Sequence, residues 1–227
     1  MTTPPAQRRS SIEEVLQHLP DAPVATTRDR GWTGVTLDLH AFAPQYVVAA
    51  PARDHHLICY CPSGRGRLIQ RRAGKTHDSV ISTGMSILMP AGYDSVWEGD
   101  AATSARLRVP ADLIVRASEE IGVRAQTNFE IVNVFRMYNP TIESFSKLLL
   151  GELDRPSHPA QPLIVEAISY ALVAHLLRGY NAFDAPPAER IPTLNARTLA
   201  NITSYIERRI GEPIGLAELA AIAHVSR

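Results

Sequence analysis

GMSILMPAG, residues 84–92, is a short sentence with clear punctuation. Five apolar or small residues, Met85 to Met89, stand between Gly84 and the group Pro90, Ala91, Gly92. The glycines allow tight turns and the proline ends a strand edge, so the stretch reads as one strand held between two reversals. Working outward, VTLDLHAF, YVVAA, HHLICY, GRLIQRR, SVIST, DSVWEG and ARLRV follow one another between Trp32 and Val109, with no helical run among them. Such a series of short strands predicts a β-barrel or sandwich.

From Pro110 the period changes. PADLIVRASEEIG is read as a helix capped by Asp112 and Gly122, and TIESFSKLLLGEL and the 162–179 segment carry large apolar residues three and four apart. GYNAFDAPPAERIP, rich in Pro and Ala, reads as a linker. Beyond it, Leu199, Ile202, Ile206 and Ile210 share one helix face. The chain closes on GLAELAAIAHVSR, where Leu216, Leu219, Ala220 and Ala223 recur at helical spacing before Ser226, a good N-cap. That ending is either the first helix and turn of a helix-turn-helix or an ordinary amphipathic helix.

Composition narrows the classes. The 227 residues are 45% hydrophobic and 20% charged, the balance of a globular protein. With 23 basic and 23 acidic residues the net charge is zero, which gives no general attraction to nucleic acid or to a membrane surface. Cys59 and Cys61, at i and i+2, would share one strand face and are expected to be free thiols in a reducing compartment. MTTPPAQRRSS has no apolar run behind its arginines and is not a secretory signal. PLIVEAISYALVAHLLRGY contains Glu166 and His175, and reads as a buried helix rather than a membrane span. A soluble, cytoplasmic protein is expected.

PSGRGRLIQRRAGKT ends in Gly74, Lys75 and Thr76, yet Ile69 stands where a phosphate loop needs its first glycine. Its glycines are therefore hairpin turns, and the arginines of RLIQRR are expected on a solvated face.

Gly84, Pro90 and Gly92 stand at a G-x5-P-x-G spacing that resembles the second conserved motif of cupin barrels, and HHLICYCPSGRG resembles the first. Where a metal-binding cupin has its ligands, this chain has His56 but also Asp54, Tyr60 or Cys61, and Ser95. A transition metal needs three or four convergent ligands, so no metal and no cofactor are expected. By strand alternation His56, Ile58 and Tyr60 share a face. If the resemblance holds, that face lines the barrel interior with Ser95 and Trp97, and His56, Tyr60, Ser95 and Trp97 hold a small ligand or else fill the core.

A metal-poor cupin-like barrel, a helical pair, a linker and a closing LAELAAIAHVS segment together look like the AraC/XylS family of transcriptional regulators. The resemblance covers nearly the whole chain and is carried most specifically by CPSGRGRLIQRR with GMSILMPAGYDSVWEG, and by YIERRIGEPIGLAELAAIAHVSR. It implies an N-terminal arm at 1–30, an effector-binding cupin-like barrel at 31–110, a helical dimerisation region at 111–179, a linker at 180–193, and an incomplete helix-turn-helix DNA-binding domain at 194–227. The chain ends at the start of the first recognition helix, so only Ser226 and Arg227 match DNA-reading positions. Phe145, Leu149, Ile168, Leu172 and Leu176 are the expected dimerisation face, with packing against the barrel as the alternative. The resemblance implies a non-enzymatic homodimer that takes a small-molecule effector and reaches promoter DNA through the part beyond Arg227. Two other readings stay open: a metal-dependent cupin enzyme, and a stand-alone sensing or dimerisation module.

Overall fold

The computed structural model describes residues 8–120, 130–181 and 203–209, with Gly211, Gly215, Glu218 and Leu219. The chain divides into two units, Met1–Ala185 and Pro186–Arg227.

The first unit begins with a short helix, α1 (Ile12–Leu16), closed by a reciprocal capping box between Ser11 and Glu14. Among the described residues ten strands follow: β1 (Ala25–Thr26), β2 (Thr36–His40), β3 (Ala43–Ala50), β4 (His55–Ser63), β5 (Arg65–Arg72), β6 (Lys75–Ser82), β7 (Met85–Met89), β8 (Ser95–Ala101), β9 (Thr103–Pro110) and β10 (Val134–Tyr138). They form two antiparallel sheets, one in the order β1-β2-β9-β4-β7-β10 and one in the order β3-β8-β5-β6. The sheets face each other and are not joined into a closed barrel. The cupin-like barrel expected from the turns is thus a two-sheet sandwich, followed by helices α2 (Ala111–Glu120), α3 (Pro140–Asp154) and α4 (Gln161–Gly179).

The opening stretch behaves as its punctuation demands. Gly84 and Gly92 take positive φ values of 84° and 88°, and β7 runs between them, ending before Pro90. All five residues of β7 are buried, because one face of its sheet packs on the four-stranded sheet and the other on the helices. Between the sheets lie Leu57, Cys61, Leu68, Met85, Ile87, Met89 and Trp97. Between the six-stranded sheet and the helices lie Ile58, Tyr60, Leu88, Leu107, Val109, Leu149 and Leu172. Glycine is required where β5 crosses β8: a Cβ on Gly66 would overlap the Asp100 carbonyl oxygen, and one on Gly99 the Arg67 carbonyl oxygen.

Several local expectations need correction. Asp112 lies inside α2 and pairs with Arg116 at 3.3 Å instead of capping the helix, since α2 already starts at Ala111. Gly122 lies outside the described residues. Helix α3 is capped by Asn139, whose side chain accepts from the amides of Thr141 and Ile142. The segment between α2 and α3 is not wholly helical, because β10 returns to the edge of the six-stranded sheet beside β7. In RLIQRR, Arg67 and Arg71 are solvated as expected, paired to Asp78 and Glu98. Arg72 is buried, with its guanidinium 4.0 Å from the Phe135 ring centre and 5.4 Å from that of Trp97.

Among the described residues one helix, α4, is long and apolar enough to cross a membrane. Its Val165, Leu172, Val173, Leu176 and Leu177 are buried in the core of the unit, as a core helix requires.

In the second unit residues 203–208 are helical. Arg209 pairs with Glu218 at 3.3 Å, and the Tyr205 hydroxyl donates to the same carboxylate at 3.1 Å. Ile206 is exposed, while Leu199, Ile202, Ile210, Ser226 and Arg227 lie outside the described residues.

Candidate functional site

The interior of the sandwich is divided into an apolar and a charged half by strand alternation. Strand β4 turns Leu57, Cys59 and Cys61 inward, and Ile58 and Tyr60 outward to the helices. This reverses the expected face. A strand covered on both sides reads as continuous burial, so HHLICYC offers no hydrophobic alternation from which its inner face could be chosen.

Tyr60 therefore packs in the helix-side core, where its hydroxyl donates to Glu143 of α3 at 3.4 Å. Burial, reinforced by the Glu143 carboxylate, raises its pKa above the usual phenol value. His56 is buried as well, and its Nδ1 accepts from the Ala91 amide at 3.2 Å. Burial, with smaller contributions from His55 and Arg9, holds it down to about 4, a neutral imidazole.

Ser95 and Trp97 are brought together. The Trp97 indole N–H donates to Ser95 Oγ at 2.8 Å, and Arg53 Nη1 donates to the same oxygen at 3.4 Å and to Met89 Sδ at 3.1 Å. Arg53, 4% exposed, was missed in the sequence because nothing in AAPARDHH distinguishes it from a loop arginine.

Strand β9 alternates Ala105, Leu107 and Val109 toward the helices with Arg106 and Arg108 toward the interior. ARLRV looks like a half-solvated strand, but its charged face is covered by the second sheet. Arg108 pairs with Asp38 of β2, which also accepts from Thr26 Oγ1 at 2.5 Å and lies 3.6 Å from Arg28 Nε. Arg106 donates to the Tyr46 hydroxyl at 3.0 Å and its guanidinium lies 5.7 Å from that ring's centre. Among the described residues neither Arg53 nor Arg106 has a carboxylate partner.

These residues bound a narrow cavity of about 50 Å³, walled by Arg53, Leu57, Cys59, Ile87, Trp97 and Arg106 among others. Leu19, Tyr46, Ala101 and Arg106 also border an outer cleft of about 530 Å³ that reaches Val24, His40 and Phe42. The Tyr46–Arg106 contact thus stands between the two spaces. Among the described residues no three His, Cys, Asp or Glu side chains converge as a metal site. Cys59 and Cys61 are both free.

Leu149, Leu172 and Leu176 are fully buried within the single chain, and Phe145 and Ile168 pack half-buried against the same core. The face assigned to a partner is thus occupied by the chain's own packing. We expect Leu172→Asp to unfold the protein, because a carboxylate would be placed in an apolar core at a cost of several kcal/mol, roughly the cost of an uncompensated buried charge. Leu163→Asp, at a position 70% exposed, should stay within about 0.5 kcal/mol of wild type. Urea denaturation followed by circular dichroism compares the two.

No family model and no curated protein sequence matches the chain. Similar solved structures include the AraC-like transcriptional activator CuxR, 13% identical over 85% of this chain and 67% of that one, with a TM-score of 0.45. ToxT from Vibrio cholerae is 10% identical over 86% of this chain and 73% of that one, TM-score 0.44. A cupin protein from Bacteroides fragilis is 16% identical over 46% of this chain and 85% of that one, TM-score 0.30. The structural neighbours are thus AraC-like regulators and a cupin.

Proposed function

We propose that this chain is the effector-sensing and dimerising part of an AraC-type transcriptional regulator, working as a homodimer in the cytoplasm and without enzymatic activity. The observation that carries this reading is the cavity between the sheets, where an apolar wall meets Arg53 and Arg106, which no carboxylate among the described residues neutralises. The sequence motifs at 61–72, 84–99 and 205–227 support it. Of the expected ligand contacts, Trp97 and Tyr60 border this cavity, Tyr60 with its hydroxyl turned to α3; Ser95 stands behind the wall, hydrogen-bonded to Trp97 and Arg53, and His56 is bonded to the Ala91 amide. Promoter DNA would be read through segments that begin at Ser226 and Arg227. For the dimer, Leu148, Leu163 and Ile164 are the exposed apolar residues of α3 and α4.

The mechanism is conformational. Strand β4 carries cavity residues on one face and, on the other, the Tyr60 hydroxyl bonded to α3. An effector that binds one arrangement of β4 and α3 more tightly than another shifts the population by that difference in affinity. The test is to capture fragments of the source genome with the native gene product. Discrete promoter segments, with occupancy that changes when a small-molecule extract is added, are the expected result. Enrichment no better than random would overturn the regulator reading.

A further inference from the structure

A cysteine in the middle of a central strand is normally sealed. Strand β4 runs between β9 and β7, and from His55 to Cys61 every residue is buried except Cys59, which is partly exposed. Its side chain faces the sandwich interior, so that exposure is to the narrow cavity it lines. The surroundings are positive. Arg106 is its direct partner on β9, which puts the two side chains on one face with Cβ atoms about 5 Å apart, and Arg108 is the diagonal neighbour. Burial holds the Arg53 and Arg72 pKa values down to about 10, and in both the nearby Cys59 sulfur is the largest influence in the other direction. Four guanidiniums thus stand around one sulfur. Among the described residues Asp38 is the one carboxylate paired with any of them, and it is already held by Arg108, Thr26 and Arg28.

Arg53 is a second, separate sign of a site. It is 4% exposed and lines the same cavity. Both of its hydrogen bonds use Nη1, to Met89 Sδ and Ser95 Oγ, while Nε and Nη2 make none among the described residues. The Nε of Arg108 is likewise buried without a partner among them. Buried donors left unused are costly, and an oxygen beside the sulfur is what they lack. Cys61 differs on each count: it is 2% exposed, its thiol donates to the Ser63 carbonyl at 3.3 Å, and burial pushes its pKa up. The two side chains leave the extended strand in parallel, about 6.6 Å apart, whereas the Cβ atoms of a disulfide lie about 3.8 Å apart, so the strand keeps the pair from closing.

We infer that Cys59 is a peroxide-reactive thiol: hydrogen peroxide enters the cavity, oxidises the sulfur to sulfenic acid, and leaves the new oxygen among Arg53, Arg106 and Arg108. Thiolate is the nucleophile in such a step, and positive neighbours stabilise it. The sulfur attacks one oxygen of HO–OH, the S–O bond forms as the O–O bond breaks, and two electrons pass from sulfur to peroxide. The departing hydroxide takes the proton that the thiol released and becomes water. Arg53 and Arg106 give up no proton; their N–H groups donate to the leaving oxygen as charge builds on it. Size agrees, since about 50 Å³, at roughly 10–15 Å³ per water, holds a molecule of two oxygens. The cavity meets the outer cleft at Tyr46 and Arg106, so peroxide arrives past one of the arginines. On the other face of β4 the Tyr60 hydroxyl is bonded to Glu143 of α3, the link through which the proposed regulator works. As a signal to that regulator the oxidation rests on the regulator reading, whereas the chemistry at the sulfur stands without it.

The chain has two cysteines, which makes the test direct. Cys61→Ser leaves Cys59 as the sole thiol, and Cys59→Ser leaves Cys61. Each full-length variant is exposed to hydrogen peroxide at pH 7, quenched with catalase, and followed by intact mass for one added oxygen that dithiothreitol removes, which separates sulfenic acid from methionine sulfoxide. Cys59 should gain that oxygen at least about tenfold faster than Cys61, a barrier difference of about 1.4 kcal/mol, and faster than free cysteine in the same buffer. In concentrated urea the two rates should converge, because the fold supplies the difference. Arg106→Gln or Arg53→Gln, added to Cys61→Ser, should slow the reaction. Equal native rates for the two cysteines, or a Cys59 rate no greater than that of free cysteine, would overturn the assignment. A preference for Cys59 that both arginine variants leave unchanged would overturn the role given to the guanidiniums. The comparison of the two single-cysteine chains decides the matter even if the arginine variants do not fold. Should a serine variant misfold, fragmentation of the tryptic segment 54–65 from oxidised wild type assigns the oxygen to one sulfur or the other.

Discussion

Replacing Asp38 with asparagine should destabilise the protein by about 3 to 5 kcal/mol, the range for removing one partner of a buried ion pair. Asp38 is fully buried, and Arg108, 2% exposed, points its guanidinium at it. Burial pulls the Arg108 pKa below its ordinary value, and Asp38 is the main group that raises it again. Without the carboxylate, Arg108 would stand near Arg106 and Arg53 with no carboxylate among the described residues paired to any of them. The loss comes from an uncompensated charge rather than from the worth of the pair, so removing both members should cost far less. Asp38→Leu combined with Arg108→Met is expected to recover most of the stability lost in Asp38→Asn. Urea midpoints at pH 7 for the three variants check this. If Asp38→Asn matches wild type within about 1 kcal/mol, the sandwich interior is solvated enough to screen the arginines, and the argument from unbalanced charge fails with it.

The contrast between what could and could not be read from the residues follows the same line. Turn residues announce themselves locally: Gly84, Pro90 and Gly92 bound β7, and Ala73 and Gly74, both at positive φ, close the β5–β6 hairpin. Helices α3 and α4 were legible because large apolar residues recur along them on a polar background. Strand β10 was not, since VFRMY is too short for its alternation to stand out and joins the sheet only through β7, some fifty residues earlier. The site was obscured for a different reason. Alternation tells which residues share a face but not which face is inside, and here both faces of β4 are covered. The rule that arginines face water misassigned Arg72, and nothing local marked Arg53, Arg106 or Arg108 as turned inward. Each has partners distant in sequence: Asp38 for Arg108, Tyr46 for Arg106, Trp97 and Phe135 for Arg72, and Met89 and Ser95 for Arg53. Ser95 and Trp97 were found because the motif spacing marks the strand that carries them, which is a local signal.

Acidification should begin to destabilise the protein above the pH range in which its carboxylates titrate. His40 and His56 are held to about 3 and about 4, in both cases chiefly by burial, and burial also lowers His55 despite its 2.6 Å bond to Asp54. In the unfolded chain each returns to about 6.5. Above that value both states are neutral and the contribution to stability is complete. Below it the unfolded chain takes up protons that the folded chain refuses, so stability falls as pH drops from about 6.5 toward the folded values. Each group supplies a slope of up to about 1.4 kcal/mol per pH unit, and the three together about 4. By about pH 5 each has removed roughly 2 kcal/mol, and the sum is comparable to the whole stability of an ordinary domain, about 5 to 15 kcal/mol. Urea denaturation at pH 7, 6 and 5 should therefore show a steep decline, with unfolding in buffer between about pH 5.5 and 4. His40→Gln removes one of the three protons and should reduce the slope between pH 6 and 5 by about one third. An unchanged slope would mean that His40 accepts its proton in the folded state, which Arg106 and Arg108 beside it should forbid unless an anion from solution already sits among them.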